Sequence, residues 1–303
     1  MTAALIIAAG QGRDRRQIEP DREVGALSAV KRCVLTFQAA GVARVVVVCG
    51  DREDGRTEKL VAHMNVTFLF SSDAGEMLDS VKLGLAFLQG KCGDVLIAHT
   101  DVPLFQVETV RALLEAGGGL CVPVCGGRGG HPIRLAAGYI PEILAYGGSG
   151  GLAGALRAAG LARTEVPVED PGILTHIQDR DGCEALLSAQ REPRLRPAFR
   201  FQLMRDQPFY GPGAHQLLQL TEETGALLDA CRHMGISYSK GRKIIANLER
   251  QMGCPMLERT RGGKDGGTST VTPEGRALIR RYSAFCEEAE TILTELFRQY
   301  FEP

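Results

Sequence analysis

Four short, β-branched apolar runs, Leu5–Ala9, Val42–Cys49, Val66–Ser71 and Asp94–Thr100, are separated by segments of a different period. In Leu27–Ala40, Glu76–Leu88 and Gln106–Glu115 the apolar residues recur at the spacing of one helix face. This alternation constrains the chain more than any other feature. A strand, a helix and another strand in succession carry the chain back to the same end of a sheet, so the strands pair in parallel. Strands that are apolar along their whole length are covered on both faces. The expected fold of the first 190 residues is therefore α/β: a doubly wound, mostly parallel sheet of Rossmann type. Ligands on such sheets bind beyond the carboxyl ends of the strands.

The pattern breaks at Arg191–Arg200, REPRLRPAFR, which reads as a linker entering a new strand. Helical periodicity follows in His215–Thr224, Ala226–His233 and Ser239–Met252, then a glycine-rich hairpin, then a long helix from Pro273 to about Tyr300. The expected domains are 1–193 and 194–303, and 303 residues suffice for two cores. The net charge of −1 hides an asymmetry: Arg232–Arg281 holds eleven Lys or Arg against four Asp or Glu, whereas the first 193 residues hold 19 against 23. A polyanion is thus the expected partner of the second domain alone. Met1–Ala9 lacks the basic start of a signal peptide, and runs such as Val45–Val48 are far too short to span a bilayer. The expectation is a cytoplasmic protein with no membrane partner. The nine cysteines form no CxxC pair, and Cys121 and Cys125 project on the same face of a strand. They read as buried thiols of a reducing compartment.

Two features of the first domain carry chemistry. LIIAAGQG, Leu5–Gly12, is an apolar strand running into a glycine turn, where backbone amides can approach phosphate oxygens. No third glycine stands near Arg15, so a dinucleotide loop is not expected. In HTDVPLF, His99–Phe105, the preceding strand delivers Asp101 to its carboxyl end, where a carboxylate can hold Mg²⁺ against a triphosphate. Asp101 could equally just start the next helical segment.

LIIAAGQGR, GEMLDSVKLG (Gly75–Gly84), TDVPLF, GGHPIRL and GGSGGLAGAL, in that order, resemble the MobA/MocA-like molybdenum cofactor nucleotidyltransferases over roughly the first 190 residues. The resemblance implies transfer of a nucleotidyl group from CTP or GTP, with Mg²⁺, to a molybdopterin-type acceptor, with release of diphosphate. It implies that Ala8, Ala9, Gly10, Gly12 and Arg13 line the nucleotide and Ser80 its base side. Asp101 would be the metal ligand and a catalytic residue, and Gly130, His131 and Pro132 would shape the acceptor side. His131 could equally be structural in that turn. Arg16 falls where the family has a catalytic lysine, Asp14 where it has arginine, Thr100 where it has glycine, and Gln178 where aspartate is frequent. Two readings follow: a transferase acting on the cofactor, or a catalytically impaired transcriptional regulator that senses a nucleotide or the cofactor.

In the second domain, Gly235 caps one helix, Ile236 packs back, and Ser237 or Ser239 caps the next. Ile244, Ile245, Leu248 and Met252 form the expected buried stripe. Ser239, Lys240, Arg242 and Lys243 face outward from the turns that reach base edges in a recognition helix. RTRGGKDGGTSTVT, Arg259–Thr272, reads as a hairpin wing whose Arg259, Arg261 and Lys264 reach phosphates. From about Leu195 to Tyr300, with its glycine-rich wing followed by TPEGR, the chain resembles the DNA-binding domain of the ModE family, itself similar to LysR-type winged helices. The resemblance implies binding of double-stranded DNA, with any effector bound by the first domain. Leu278, Tyr282, Phe285, Ala289, Ile292, Leu296 and Tyr300 recur at threes and fours beside Glu287, Glu288 and Glu290, as a homodimer seam requires.

Overall fold

Buried residues of both periods assemble as two compact units, Met1–Gln190 and Arg191–Pro303. The computed structural model describes residues 1–9, 19–50, 56–61, 64–71, 76–189, 195, 197–259 and 268–301.

The first unit begins with β1 (Thr2–Ala8), a two-residue hairpin of β2 (Glu23–Val24) and β3 (Leu27–Ser28), then α1 (Ala29–Ala39) and β4 (Arg44–Cys49). It continues through α2 (Arg56–Leu60), β5 (Val66–Phe70), α3 (Met77–Leu88), β6 (Asp94–His99), α4 (Val107–Glu115) and β7 (Leu120–Cys125). It closes with β8 (Arg128–Gly129), β9 (Ile133–Ala136), α5 (Ile140–Ala145), α6 (Gly151–Ala158), β10 (Arg163–Pro167) and α7 (Arg180–Ala189). The strand order is β10-β7-β9-β6-β1-β4-β5, with β8 paired to β7. β5, β4, β1 and β6 are mutually parallel, and β9 alone of the main strands runs against its neighbours.

β1, β4, β5 and β6 are covered on both faces. Val30, Val34 and Phe37 of α1 share one core cluster with Ala4 and Ile6 of β1 and with Val110 and Leu113 of α4. Leu78, Val81 and Leu85 of α3 share the other with Leu5 and Ile7 and with Ile140 and Ile143 of α5. The helix expected from Leu27 starts at Ala29 instead. Gly25, at φ 67°, turns β2 back onto β3, and Ser28 becomes the extended N-cap residue.

α3 lies so close to β1 that a Cβ at Gly84 would come within 2.2 Å of Leu5 Cδ1. Leu5 is fully buried and has no room to yield. Gly84→Ala is therefore expected to destabilise the first unit by about 1–2 kcal/mol, the overpacking strain exceeding the gain of up to ~1 kcal/mol in helix propensity. Urea unfolding of wild type and variant checks it; an unchanged midpoint would show that the core yields.

The second unit opens with the hairpin β11 (Leu203–Met204) and β12 (Pro208–Tyr210), followed by α8 (Pro212–Thr224), α9 (Leu227–His233) and α10 (Tyr238–Met252). β13 (Leu257–Arg259) pairs antiparallel with β14 (Ser269–Val271), and α11 (Pro273–Phe301) completes the chain's helices. Under α11 lies a polar and aromatic knot. The rings of Tyr210 and Tyr282 meet edge-on at 4.9 Å, and Tyr282 donates its hydroxyl to the Phe201 carbonyl at 2.8 Å. His215 Nδ1 is 2.9 Å from the Tyr210 hydroxyl, and its Nε2 is 3.1 Å from Ser283 Oγ.

Burial takes the His215 pKa down to about 4. The folded value lies below the ~6.5 of an unfolded chain, so the stability tied to the neutral ring is complete above that pH. It is lost as pH falls toward about 4. Allowing for the ring's partial solvent access, the loss is on the order of 2 kcal/mol. Chemical unfolding at neutral and mildly acidic pH should show the second unit losing stability, with a flatter profile in His215→Gln. An identical profile in that variant would assign the acid sensitivity elsewhere.

Candidate functional site

β1 has β4 on one side and β6 on the other, so the loops leaving β1 and β6 part at a topological switch point, where a crevice forms in doubly wound sheets. Ala8 and Ala9, both buried, carry β1 into this end. Gly10, Gly12, Arg13, Asp14 and Arg16 lie outside the described residues. On β6, Ile7 pairs with His99, and Thr100 N donates to the Ile7 carbonyl at 3.1 Å. The Thr100 hydroxyl turns into the sheet toward that same carbonyl at 3.4 Å. The buried Thr100 side chain is thus taken up by the sheet. Val102 N then donates to the His99 carbonyl at 3.1 Å and closes the turn that presents Asp101.

Asp101 Oδ1 is enclosed and has no hydrogen-bond partner among the described residues. Burial pushes its carboxyl pKa up, the His176 charge pulls it down, and the Glu19 charge pushes it up. A half-buried carboxylate with an unmet oxygen gains from a cation at that oxygen. Among the described residues no set of three or more His, Cys, Asp or Glu side chains is placed to hold a metal.

The Asp101 loop is tied to the turn of Gly130, His131 and Pro132 through Asp170, which the sequence did not single out. Asp170 Oδ2 accepts from Gln106 N at 2.7 Å and Thr109 Oγ1 at 2.6 Å, and its Oδ1 accepts from Gly172 N at 2.9 Å. Its carboxyl pKa is raised by burial, against the pull of these three donors. The Ile173 carbonyl accepts from His131 N at 3.0 Å, and Ile177 N donates to the Asp101 carbonyl at 2.8 Å. Gly130 is required here, because a Cβ would lie 2.3 Å from the Ile173 carbonyl oxygen. The His131–Pro132 peptide is cis. The His131 ring meets His99 edge-on, centroids 4.6 Å apart, so two imidazoles flank the turn that bears Asp101. The signal for His99 was a polar residue closing the apolar run Val95–Ala98.

Ser80, also expected in the site, is buried on α3 with its Oγ 3.1 Å from Ser71 Oγ just past β5. Gln178 is exposed.

In the second unit, Gly235 at φ 63° ends α9, and Ile236 N donates back to the Cys231 carbonyl at 3.0 Å. The cap of α10 is Ser237, whose Oγ accepts from Lys240 N at 3.2 Å, not Ser239. The buried stripe of α10 is Gly241, Ile245 and Leu248, with Ile244 and Met252 only half-buried at its margins. It is rotated toward Gly241 because α9 presses there: a Cβ would meet Cys231 Sγ at 2.2 Å. Ser239, Lys240, Arg242 and Lys243 are exposed.

A groove of about 350 Å³ on the outer face of α10 is lined by Ser239, Arg242, Lys243, Ala246 and Glu249. Glu249 Oε1 also accepts from Met256 N at 3.1 Å and Leu257 N at 3.3 Å, fixing the start of β13 to the helix. Arg259 ends β13. Arg261 and Lys264 lie outside the described residues. On α11, Leu278, Ile279 and Tyr282 are buried, while Phe285, Ile292, Leu296, Tyr300 and Phe301 are exposed.

Residues 4–166 match the family model of the MobA-like NTP transferase domain. The chain belongs to that family. Residues 214–276 match the bacterial regulatory helix-turn-helix protein, lysR family, so a MobA-like transferase domain is joined here to a LysR-type helix-turn-helix. Among curated proteins the chain is similar to the bifunctional protein GlmU of Geobacter metallireducens, 30% identical over 118 residues, which cover 38% of this chain and 25% of that protein. It is also similar to the molybdenum-pterin-binding protein MopA of Rhodobacter capsulatus, 32% identical over 72 residues, 24% of this chain and 27% of that one. The chain thus spans about a quarter of the length of these relatives.

Among solved structures, a nucleotidyl transferase from Methanothermobacter superposes with a TM-score of 0.53 at 20% identity, covering 63% of this chain and 99% of that one. A Mycobacterium tuberculosis protein in complex with manganese gives 0.50 at 15% identity, covering 62% and 99%. At these identities the likeness is one of fold. No helix among the described residues is long and apolar enough to cross a membrane.

Proposed function

We propose that residues 1–193 of this MobA-like protein bind CTP or GTP with Mg²⁺ and transfer the nucleotidyl group to a molybdopterin-type acceptor. Residues 194–303 bind duplex DNA as a homodimer in the cytoplasm, so one polypeptide nucleotidylates the cofactor and regulates genes of the same metabolism. The observation that carries the reading is the enclosed Asp101 Oδ1, without a hydrogen-bond partner among the described residues, at the switch point of the sheet. In the reaction an acceptor phosphate oxygen attacks the α-phosphorus, and the bond to the β-phosphate breaks. Diphosphate leaves with the electron pair.

Ala8, Ala9, Gly10, Gly12 and Arg13 would hold the triphosphate, Ser80 the base side, and Gly130, His131 and Pro132 the acceptor. Arg16 would neutralise charge on the departing diphosphate, as a fixed fork in place of lysine's point charge. A cation at Asp101 supplies neutralisation of the triphosphate. The manganese complex of the mycobacterial fold relative supports a divalent metal, and the name of MopA supports the molybdenum pterin. For the second unit, the exposed Ser239, Lys240, Arg242 and Lys243, with Arg259, Arg261 and Lys264 of the wing, supply the DNA surface. The exposed Ile292, Leu296 and Tyr300 of α11 supply the dimer seam.

A second reading, a regulator that binds nucleotide without turning it over, is favoured by one observation. Gln178, where the resemblance places a frequent aspartate, offers an amide in place of a second carboxylate. One set of measurements separates the readings. Thermal shifts with Mg²⁺ and each of CTP, GTP, ATP and UTP report binding, worth about 2.7 kcal/mol at a hundredfold excess over Kd. Diphosphate release with molybdopterin reports transfer, and salt-dependent gel shifts report DNA. Shifts without diphosphate release leave the sensor; neither shifts nor gel retardation removes both.

A further inference from the structure

The outer face of α10 is not the whole of the surface that a duplex would meet. A cleft of about 260 Å³ opens where β12 passes the start of α8 and the flank of α10. Pro208, Phe209, Pro212 and Ile244 are among its apolar lining, and Arg200 and Asn247 among its polar lining. Arg200 is exposed, so its charge is presented to solvent. Asn247 accepts from Arg250 Nη2 through Oδ1 at 2.6 Å, which leaves its amide group as a donor. The cleft therefore offers donors and positive charge above an apolar lining, and no carboxylate is among the described residues that line it.

Its position ties it to the recognition helix. Ile244 and Asn247 stand one turn on from Lys240 and Lys243, and residues four apart lie on one helix face. The exposed lysines thus run directly into the cleft.

We infer that this cleft seats the sugar-phosphate backbone of the duplex whose groove α10 enters, making the β11–β12 hairpin a second backbone clamp beside that helix. The inference rests on the DNA-binding reading of the second unit. A nucleic-acid strand matches both halves of the lining: phosphate oxygens take the Arg200 guanidinium and the Asn247 amide, and deoxyribose carbons lie on Pro208, Phe209 and Pro212. Continuity with the basic face of α10 favours the strand over a small anion. Backbone contacts of this kind carry no base information, so the clamp adds affinity equally to all sequences.

The test uses the full chain, a fluorescent mixed-sequence duplex and titrations over a range of salt concentrations. Arg200→Ala and Asn247→Ala are each expected to weaken binding about fivefold or more. Arg200→Ala should also flatten the salt dependence by about one phosphate contact, whereas the neutral Asn247→Ala should leave the slope unchanged. Arg200→Glu should weaken binding further. Arg200 is exposed and Asn247 half-buried, and an unchanged melting temperature confirms that the fold is kept. If wild type binds and Arg200→Glu changes neither affinity nor slope, the clamp is refuted while the recognition helix stands. If wild type itself ignores the duplex, the DNA reading and the clamp fall together, and the wild-type titration alone shows it.

Discussion

Asp101→Asn is expected to abolish stabilisation by Mg²⁺-NTP and to lower nucleotidyl transfer by about 10²-fold or more, while leaving the apo protein as stable as wild type or slightly more so. The two halves of this result have one cause. Asp101 Oδ1 is enclosed without a partner among the described residues, and burial raises its carboxyl pKa. For an acid, a folded pKa above the unfolded one means that the fold prefers the proton. The contribution is present below the unfolded value and is lost as pH rises through the folded one. At neutral pH the charge is thus held at a cost to the fold, and asparagine, of the same shape, relieves it. A residue whose role was only structural would lose stability on substitution. Thermal unfolding with and without Mg²⁺-CTP and Mg²⁺-GTP measures both quantities at once. A variant that still responds to nucleotide would remove Asp101 from the site, and one that unfolds early without ligand would make it structural.

The half of the sheet that contains Asp101 is also the half that was legible in the sequence. β1, β4, β5 and β6 are unbroken apolar runs because both faces are covered, and such runs announce themselves. The other half gives no such signal. β7 is interior to the sheet yet carries Pro123, a residue that argues against a central strand. Its neighbour β9 has four residues, and the edge strand β10 buries only Val166 of its five. In the second unit the turn chemistry around Gly235 was readable because it is local. The choice between Ser237 and Ser239 as cap needed the actual hydrogen bond to Lys240 N.

Residues that act across long separations left the faintest trace. Asp170 holds Gln106 and Thr109, 64 and 61 positions away, and His99 finds His131 across the sheet. Such pairings follow from where loops end, and no periodicity encodes that.

Replacing both Arg242 and Lys243 with glutamate is expected to weaken duplex binding by 10²–10³-fold or more and to flatten the salt dependence by about two phosphate contacts. Both side chains are exposed and line the outer groove of α10, while the helix is held by Gly241, Ile245 and Leu248 on its other side. The substitutions therefore remove charge from the surface without touching the packing, and the melting temperature should stay at the wild-type value. Charge alone does not separate groove reading from general attraction, and the pattern across sequences does. Side chains in the first turns of a recognition helix reach base edges, so Arg242→Ala alone should lose about 1–3 kcal/mol on a preferred sequence and less on a random one. The backbone donors of the Arg200 cleft should lose the same on both. Fluorescence titrations of preferred and scrambled duplexes, at matched salt, resolve the two behaviours. Equal losses from Arg242→Ala on both duplexes would move α10 from the groove to the backbone, and no loss on either would place the DNA surface elsewhere on the domain.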